Sequence, residues 1–80
     1  MDARFGTELK VRRQFAELSL RELAELADIS ASGLSRLERG EMLPARGTLR
    51  RLCKVLDWPY AWAKRTVLDD ITARAERRYE

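Results

Sequence analysis

Eighty residues suffice for one compact domain and are too few for two. A composition of 45% hydrophobic and 36% charged residues is too apolar for disorder, and its Leu and Ala content favours helices over strands. One cysteine and no histidine exclude an internal disulfide framework and leave no zinc ligand set or His-based catalytic dyad, so neither a cofactor nor an enzyme is expected, while the net charge of +3 hints at an anionic partner.

The charge is unevenly placed. Residues 31–56 carry six basic and two acidic groups, whereas residues 18–30 carry one basic and three acidic. A basic excess confined to one block suits a surface that faces a polyanion. Met1–Phe5 contains no apolar run of the signal-peptide kind, and no stretch approaches the roughly 18 apolar residues of a membrane span. A cytoplasmic protein of bacterial or phage origin, without membrane attachment, is expected.

Five helical segments follow in chain order. The first is predicted from about Thr7, after Gly6, to Ala16; Phe5, Leu9 and Arg13 share one face, Val11 and Phe15 another. Ser19-Leu-Arg-Glu22 has the S-x-x-E pattern of a capping box and opens a second helix to about Ala27, with Leu23, Ala24 and Ala27 inward. Asp28 stands where the chain must turn, and Asp tolerates the left-handed conformation better than most residues. Ser30 is the next N-cap, for a helix to about Arg39 with Leu34 and Leu37 inward and Gly40 as terminator. After the Glu41–Pro44 loop, a fourth helix over about Arg46–Leu56 places Leu49, Leu52, Cys53 and Leu56 at core spacing, so Cys53 reads as a packed residue, not a reactive thiol. Pro59 fits the start of a last helix, from Tyr60 to about Tyr79 and about 30 Å long.

Leu20 to Arg39 is the informative stretch. Small Ala24, turn-capable Asp28, and apolar Leu34 and Leu37 lie where two steeply crossing helices need them. The first permits close approach, the second the turn, and the last two close the core. The outward side of the second helix is then free to enter a major groove.

The run from Leu18 to Gly40, with Glu22-Leu23-Ala24, the Ser35–Gly40 ending, Pro44 and Thr48-Leu49, resembles the Cro and lambda-repressor-like (XRE) helix-turn-helix family over about residues 5–57. The resemblance implies an all-α, five-helix DNA-binding domain. Its helix-turn-helix unit is about 19–39 and its core 1–57; beyond Asp57 the family pattern gives little, and the C-terminal helix of 58–80 is read from its own residues as part of the same domain. It also implies that Arg13 and Glu38 form a structural ion pair, and that Ser30, Ala31, Ser32, Ser35 and Arg36 face the groove. Of these, Ala31, Ser32, Ser35 and Arg36 are the base-reading candidates; Arg36 can pair its fork with guanine O6 and N7. Backbone phosphates would be met at the helix starts around Ser19, Ser30 and Ala45, and by Arg46, with Arg39 and Arg50 as further candidates. The chain departs from the family at Leu20, where Gln is usual and touches a phosphate. Its reading helix, with Gly33 in the middle, is built from small residues, which shifts weight to Arg36 and to DNA shape.

In the last helix, Ala63, Val67, Ile71 and Ala75 recur every four residues, with Leu68 and Tyr79 beside them. Its near part, with Trp58 and Trp62, is expected over the core, with Val11 and Phe15 as neighbours. The far part is expected to meet a second copy, making Val67, Leu68, Ile71, Ala75 and Tyr79 the dimer interface. A two-fold dimer would set its reading helices about 34 Å apart, matching a palindromic operator. The expected function is thus a transcription regulator of Cro-like or controller type. An antitoxin-type interaction module, with autoregulatory DNA binding and a second protein as partner, is the alternative.

Overall fold

The structure is a computed structural model describing residues 4–78. Five helices follow one another: α1 (Arg4–Phe15), α2 (Leu20–Leu26), α3 (Ala31–Glu38), α4 (Arg46–Leu56) and α5 (Tyr60–Arg78). Among the described residues there is no strand, and the architecture is all-α as expected. None of the described helices is long and apolar enough to cross a membrane.

The first helix corrects the sequence reading. It starts three residues earlier than Thr7, because its open amides are capped from the far end of the chain. The backbone N–H groups of Arg4 and Phe5 donate to the two carboxylate oxygens of Asp70, at 2.8 and 3.0 Å. Asp70 is itself buried, so α5 holds the start of α1 through a carboxylate at a positive helix end. Gly6 is therefore no breaker. It lies inside α1 where that helix crosses the end of α3: a Cβ there would sit 2.6 Å from the Leu37 carbonyl oxygen and 2.7 Å from that of Glu38.

The later boundaries follow local chemistry. Ser19 accepts from the Glu22 amide at 3.0 Å while the Glu22 carboxylate accepts from the Ser19 amide at 2.9 Å. The bond from the Ser19 amide, with that involving its hydroxyl, holds the Glu22 carboxyl below its ordinary pKa. Ser30 likewise accepts from the Gly33 amide at 3.0 Å. The first four helices end on residues in the left-handed region: Glu17 (φ 59°), Asp28 (55°), Gly40 (75°) and Asp57 (52°). After each, the chain turns back so that the next amide reaches a carbonyl five residues earlier: Leu18 to Arg13, Ile29 to Ala24, Glu41 to Arg36 and Trp58 to Cys53. Asp28 and Gly40 were expected in these positions; Glu17 and Asp57 were not. Glu17 is a β-carbon-bearing, acidic residue at the negative end of α1, unfavourable on both counts. Glu17→Gly is expected to stabilise the domain by about 0.5–1 kcal/mol after the entropy cost of glycine in the unfolded chain. A thermal melt checks this, and a lower Tm would contradict it.

The core gathers Phe5 and Leu9 from α1, Leu23, Ala24 and Ala27 around α2, Leu34 and Leu37 from α3, and Leu49, Leu52 and Cys53 from α4. Trp58 closes it, stacked on Phe5 at 5.6 Å between centroids, with the Arg12 guanidinium 4.7 Å from the centroid of the Trp58 ring. Cys53 is buried, and burial pushes its thiol pKa up, away from reactive thiolate chemistry.

Two further expectations for α5 fail. Trp62 is 65% exposed, not over the core, and Phe15 is 90% exposed, beside Val11 and Leu56 instead of under α5. The cause is the helical phase. α5 turns its Ala63, Thr66 and Asp70 face inward, fixed by the Asp70 cap. A four-residue step advances about 40° beyond a full turn, so the stripe from Ala63 through Val67, Ile71 and Ala75 drifts off that face. Val67 is half-buried against the core, Ile71 and Leu68 are each 47% exposed, and Ala75 is exposed. Tyr79 lies outside the described residues.

Candidate nucleic-acid interface

α2 and α3 cross over Ala24 and Ala27, whose small side chains are buried. The turn between them is fixed by Asp28 in its left-handed conformation and by the Ile29 amide on the Ala24 carbonyl. Leu34 and Leu37 then anchor the inner side of α3.

A charged clamp fixes the far end of α3. Arg13 Nε and Nη2 donate to Glu38 Oε2 and Oε1 at 2.7 and 3.1 Å, and Nη1 donates to the Leu18 carbonyl at 3.0 Å. The two side chains are only 13% and 6% exposed. The bonds that Arg13 donates to Glu38 hold its guanidinium above its ordinary pKa, against the opposing effect of burial. One arginine thereby ties α1, the α1–α2 turn and the end of α3 together.

With the inner side anchored, the outer side of α3 is open. Ser32 and Arg36 are exposed, and Ala31 and Ser35 are half-buried on its flanks. Ser30 Oγ is engaged by the Gly33 amide and lies 3.4 Å from Ser32 Oγ. Arg36 and Arg39 both lean toward Glu41: their Nε atoms are 3.8 and 3.1 Å from its two carboxylate oxygens.

The phosphate candidates differ from one another. The amides that open α2 and α3 are partly taken by Ser19 and Ser30, whereas α4 starts at Ala45 with no side-chain cap on its first-turn amides, and Arg46 is exposed. Arg50 leans on the ring of Tyr60, with 5.0 Å from guanidinium to centroid. Two arginines that no sequence pattern singles out hold the frame. Arg51 Nε donates to the Ala27 carbonyl at 2.8 Å, joining α4 to the end of α2, and Arg74 Nη2 donates to the Gly40 carbonyl at 2.8 Å, joining α5 to the turn after α3. No signal in the sequence separates these from groove-facing arginines, because a carbonyl acceptor leaves no trace in side-chain identity.

Residues 4–60 match the family model of a helix-turn-helix domain. The chain belongs to that helix-turn-helix family. Its resemblance to the Cro and lambda-repressor-like proteins, read from Leu18 to Gly40, agrees with this match. Among curated proteins it is 35% identical over 57 residues to the HTH-type transcriptional repressor RghR of Bacillus subtilis (strain 168), a match covering 70% of this chain and 42% of that protein. The helix-turn-helix chain thus spans less than half the length of this relative. Among solved structures, the clp gene regulator ClgR of Corynebacterium glutamicum superposes with a TM-score of 0.74 at 28% identity, covering 95% of this chain and 81% of that one. A second structure of ClgR from C. glutamicum gives 0.71 at 30% identity, covering 84% and 87%.

Proposed function

We propose that this helix-turn-helix protein is a sequence-specific, double-stranded DNA-binding transcription regulator of the cytoplasm, with no catalytic activity of its own. α3 lies in the major groove, Arg36 reads a guanine, and Ser32, Ser35 and Ala31 contact neighbouring base edges or a thymine methyl. The observation that carries this reading is that α3 is braced on its inner side by Leu34, Leu37 and the Glu38–Arg13 clamp while Ser32 and Arg36 stand open on the other. Arg46 and the uncapped amides after Ala45 meet backbone phosphates, with help from Ser19, Ser30, Arg39 and Arg50. The relatives support the assignment, since RghR is named a transcriptional repressor and ClgR a gene regulator.

Two variants separate reading from anchoring. Arg36→Ala is expected to cost about 1–3 kcal/mol on the preferred site and to remove preference at one base pair. Arg46→Ala is expected to weaken binding to all sequences alike and flatten the salt dependence by up to about one charge. Titration of both variants against matched and single-substituted duplexes checks this; an Arg36 variant with unchanged preference would refute its role.

The protein acts as a homodimer on a palindromic operator through Leu68, Ile71 and Ala75 of α5, with Val67 at the edge of the patch; Tyr79, the remaining interface candidate, lies outside the described residues. Exposed Leu68, Ile71 and Ala75 lie on one side of α5, away from its own core. Ile71→Asp is expected to shift the protein to monomer in sedimentation. An unaltered mass distribution would count against this interface.

A further inference from the structure

Glu41 stands beside the proposed reading surface, and its place there is set by the backbone. Gly40, at φ 75°, turns the chain after α3, so that the Gly40 amide bonds the Leu37 carbonyl at 3.1 Å and the Glu41 amide bonds the Arg36 carbonyl at 3.0 Å. The residue bearing the carboxylate is thus hydrogen-bonded to the very residue that is to read DNA. From this position Glu41 Oε1 lies 3.8 Å from Arg36 Nε and Oε2 lies 3.1 Å from Arg39 Nε, all three side chains being about half exposed. Within the basic block of residues 31–56 there are two acids; Glu38 is buried in the clamp with Arg13, and Glu41 is the exposed one.

We propose that Glu41 is a specificity-determining residue: an intramolecular counter-charge that competes with DNA phosphates for Arg36 and Arg39, and so suppresses binding to non-operator DNA. The proposal rests on the reading of α3 as the groove-facing helix. On a random duplex the two arginines gain only phosphate contacts, and each such contact must displace Glu41 while its carboxylate repels the same phosphates. On the operator Arg36 instead turns to a guanine edge, so that Glu41 opposes only the phosphate contact of Arg39. Its charge therefore subtracts more from random binding than from operator binding, which widens the ratio between them.

The test measures binding of wild type, Glu41→Gln and the charge-matched control Glu76→Gln by fluorescence anisotropy. The probes are a random-sequence duplex and the operator recovered by selection, at several salt concentrations. Gln keeps the shape of Glu, and the backbone bonds at Gly40 and Glu41 do not use the side chain, so an unchanged thermal melt is expected. Glu41→Gln is expected to tighten random binding about threefold to tenfold and to steepen its salt slope by up to about one, with a smaller gain on the operator. Glu76→Gln is expected to move neither. An equal gain on both duplexes, no gain on the random duplex, or the same gain from Glu76→Gln would overturn the proposal while leaving DNA binding by α3 intact. A wild-type protein indifferent to every duplex would instead end the reading of α3 itself, and Glu41's role with it.

Discussion

Gly6→Ala is expected to destabilise the domain by about 2–3 kcal/mol, lowering Tm by roughly 10–20 °C for a chain of this size. Helix propensity alone predicts the opposite sign, since alanine is favoured over glycine by about 1 kcal/mol inside a helix. Packing decides. The new methyl would meet the Leu37 and Glu38 carbonyl oxygens at 2.6 and 2.7 Å and the Glu38 carbonyl carbon at 3.0 Å. These are backbone atoms, so no side chain can rotate away, and α1 must lift from α3. That displacement would also disturb the Asp70 cap on the start of α1 and the stack of Phe5 on Trp58. Calorimetry or a circular-dichroism melt reads the effect, and a raised Tm would show that the two helices do not approach as closely as described.

Arg13→Met is expected to cost about 2–4 kcal/mol, because it leaves the Glu38 carboxylate nearly buried without its two donors. The Leu18 carbonyl loses its partner as well. Replacing both ends, as Arg13→Met with Glu38→Leu, is expected to recover most of the loss, since no charge is then left stranded. Below the melting temperature the single variant should still bind DNA with near-normal affinity. A variant of unchanged Tm but weakened binding would make Arg13 a phosphate contact instead of a brace.

Features written in adjacent residues were legible from the sequence. The Ser19–Glu22 box, the Ser30 cap, the turn at Asp28 and the terminator Gly40 all depend on partners within a few positions. The inward set of Leu23, Ala24, Leu34, Leu37, Leu49 and Leu52 followed from helical period alone. What the sequence hid depends on distant partners. Gly6 reads locally as a break, yet it is a contact point between helices, and the start of α1 is fixed by a carboxylate 65 or 66 residues away. Trp58 and Trp62 look alike in sequence, but only one stacks on Phe5. The arginines are the hardest case. Arg51 and Arg74 serve backbone carbonyls, Arg13 serves Glu38, and Arg36 and Arg39 face outward beside Glu41, although all five carry the same charge. On α5 the four-residue repeat from Ala63 separates a buried near part from an exposed far part, but it does not reveal that Trp62 points away from the core, which depends on the helical phase set by Asp70.

Selection of bound sites from random duplex DNA, run in parallel on wild type and Arg36→Ala, tests most directly whether the outer side of α3 reads sequence. Wild type should enrich a two-fold repeated motif containing a fixed G·C pair in each half, with half-sites about 10 base pairs apart, and the Arg36 variant should lose selectivity at that pair alone. A wild-type pool no more ordered than the input, or a motif that survives the Arg36 substitution unchanged, would contradict it.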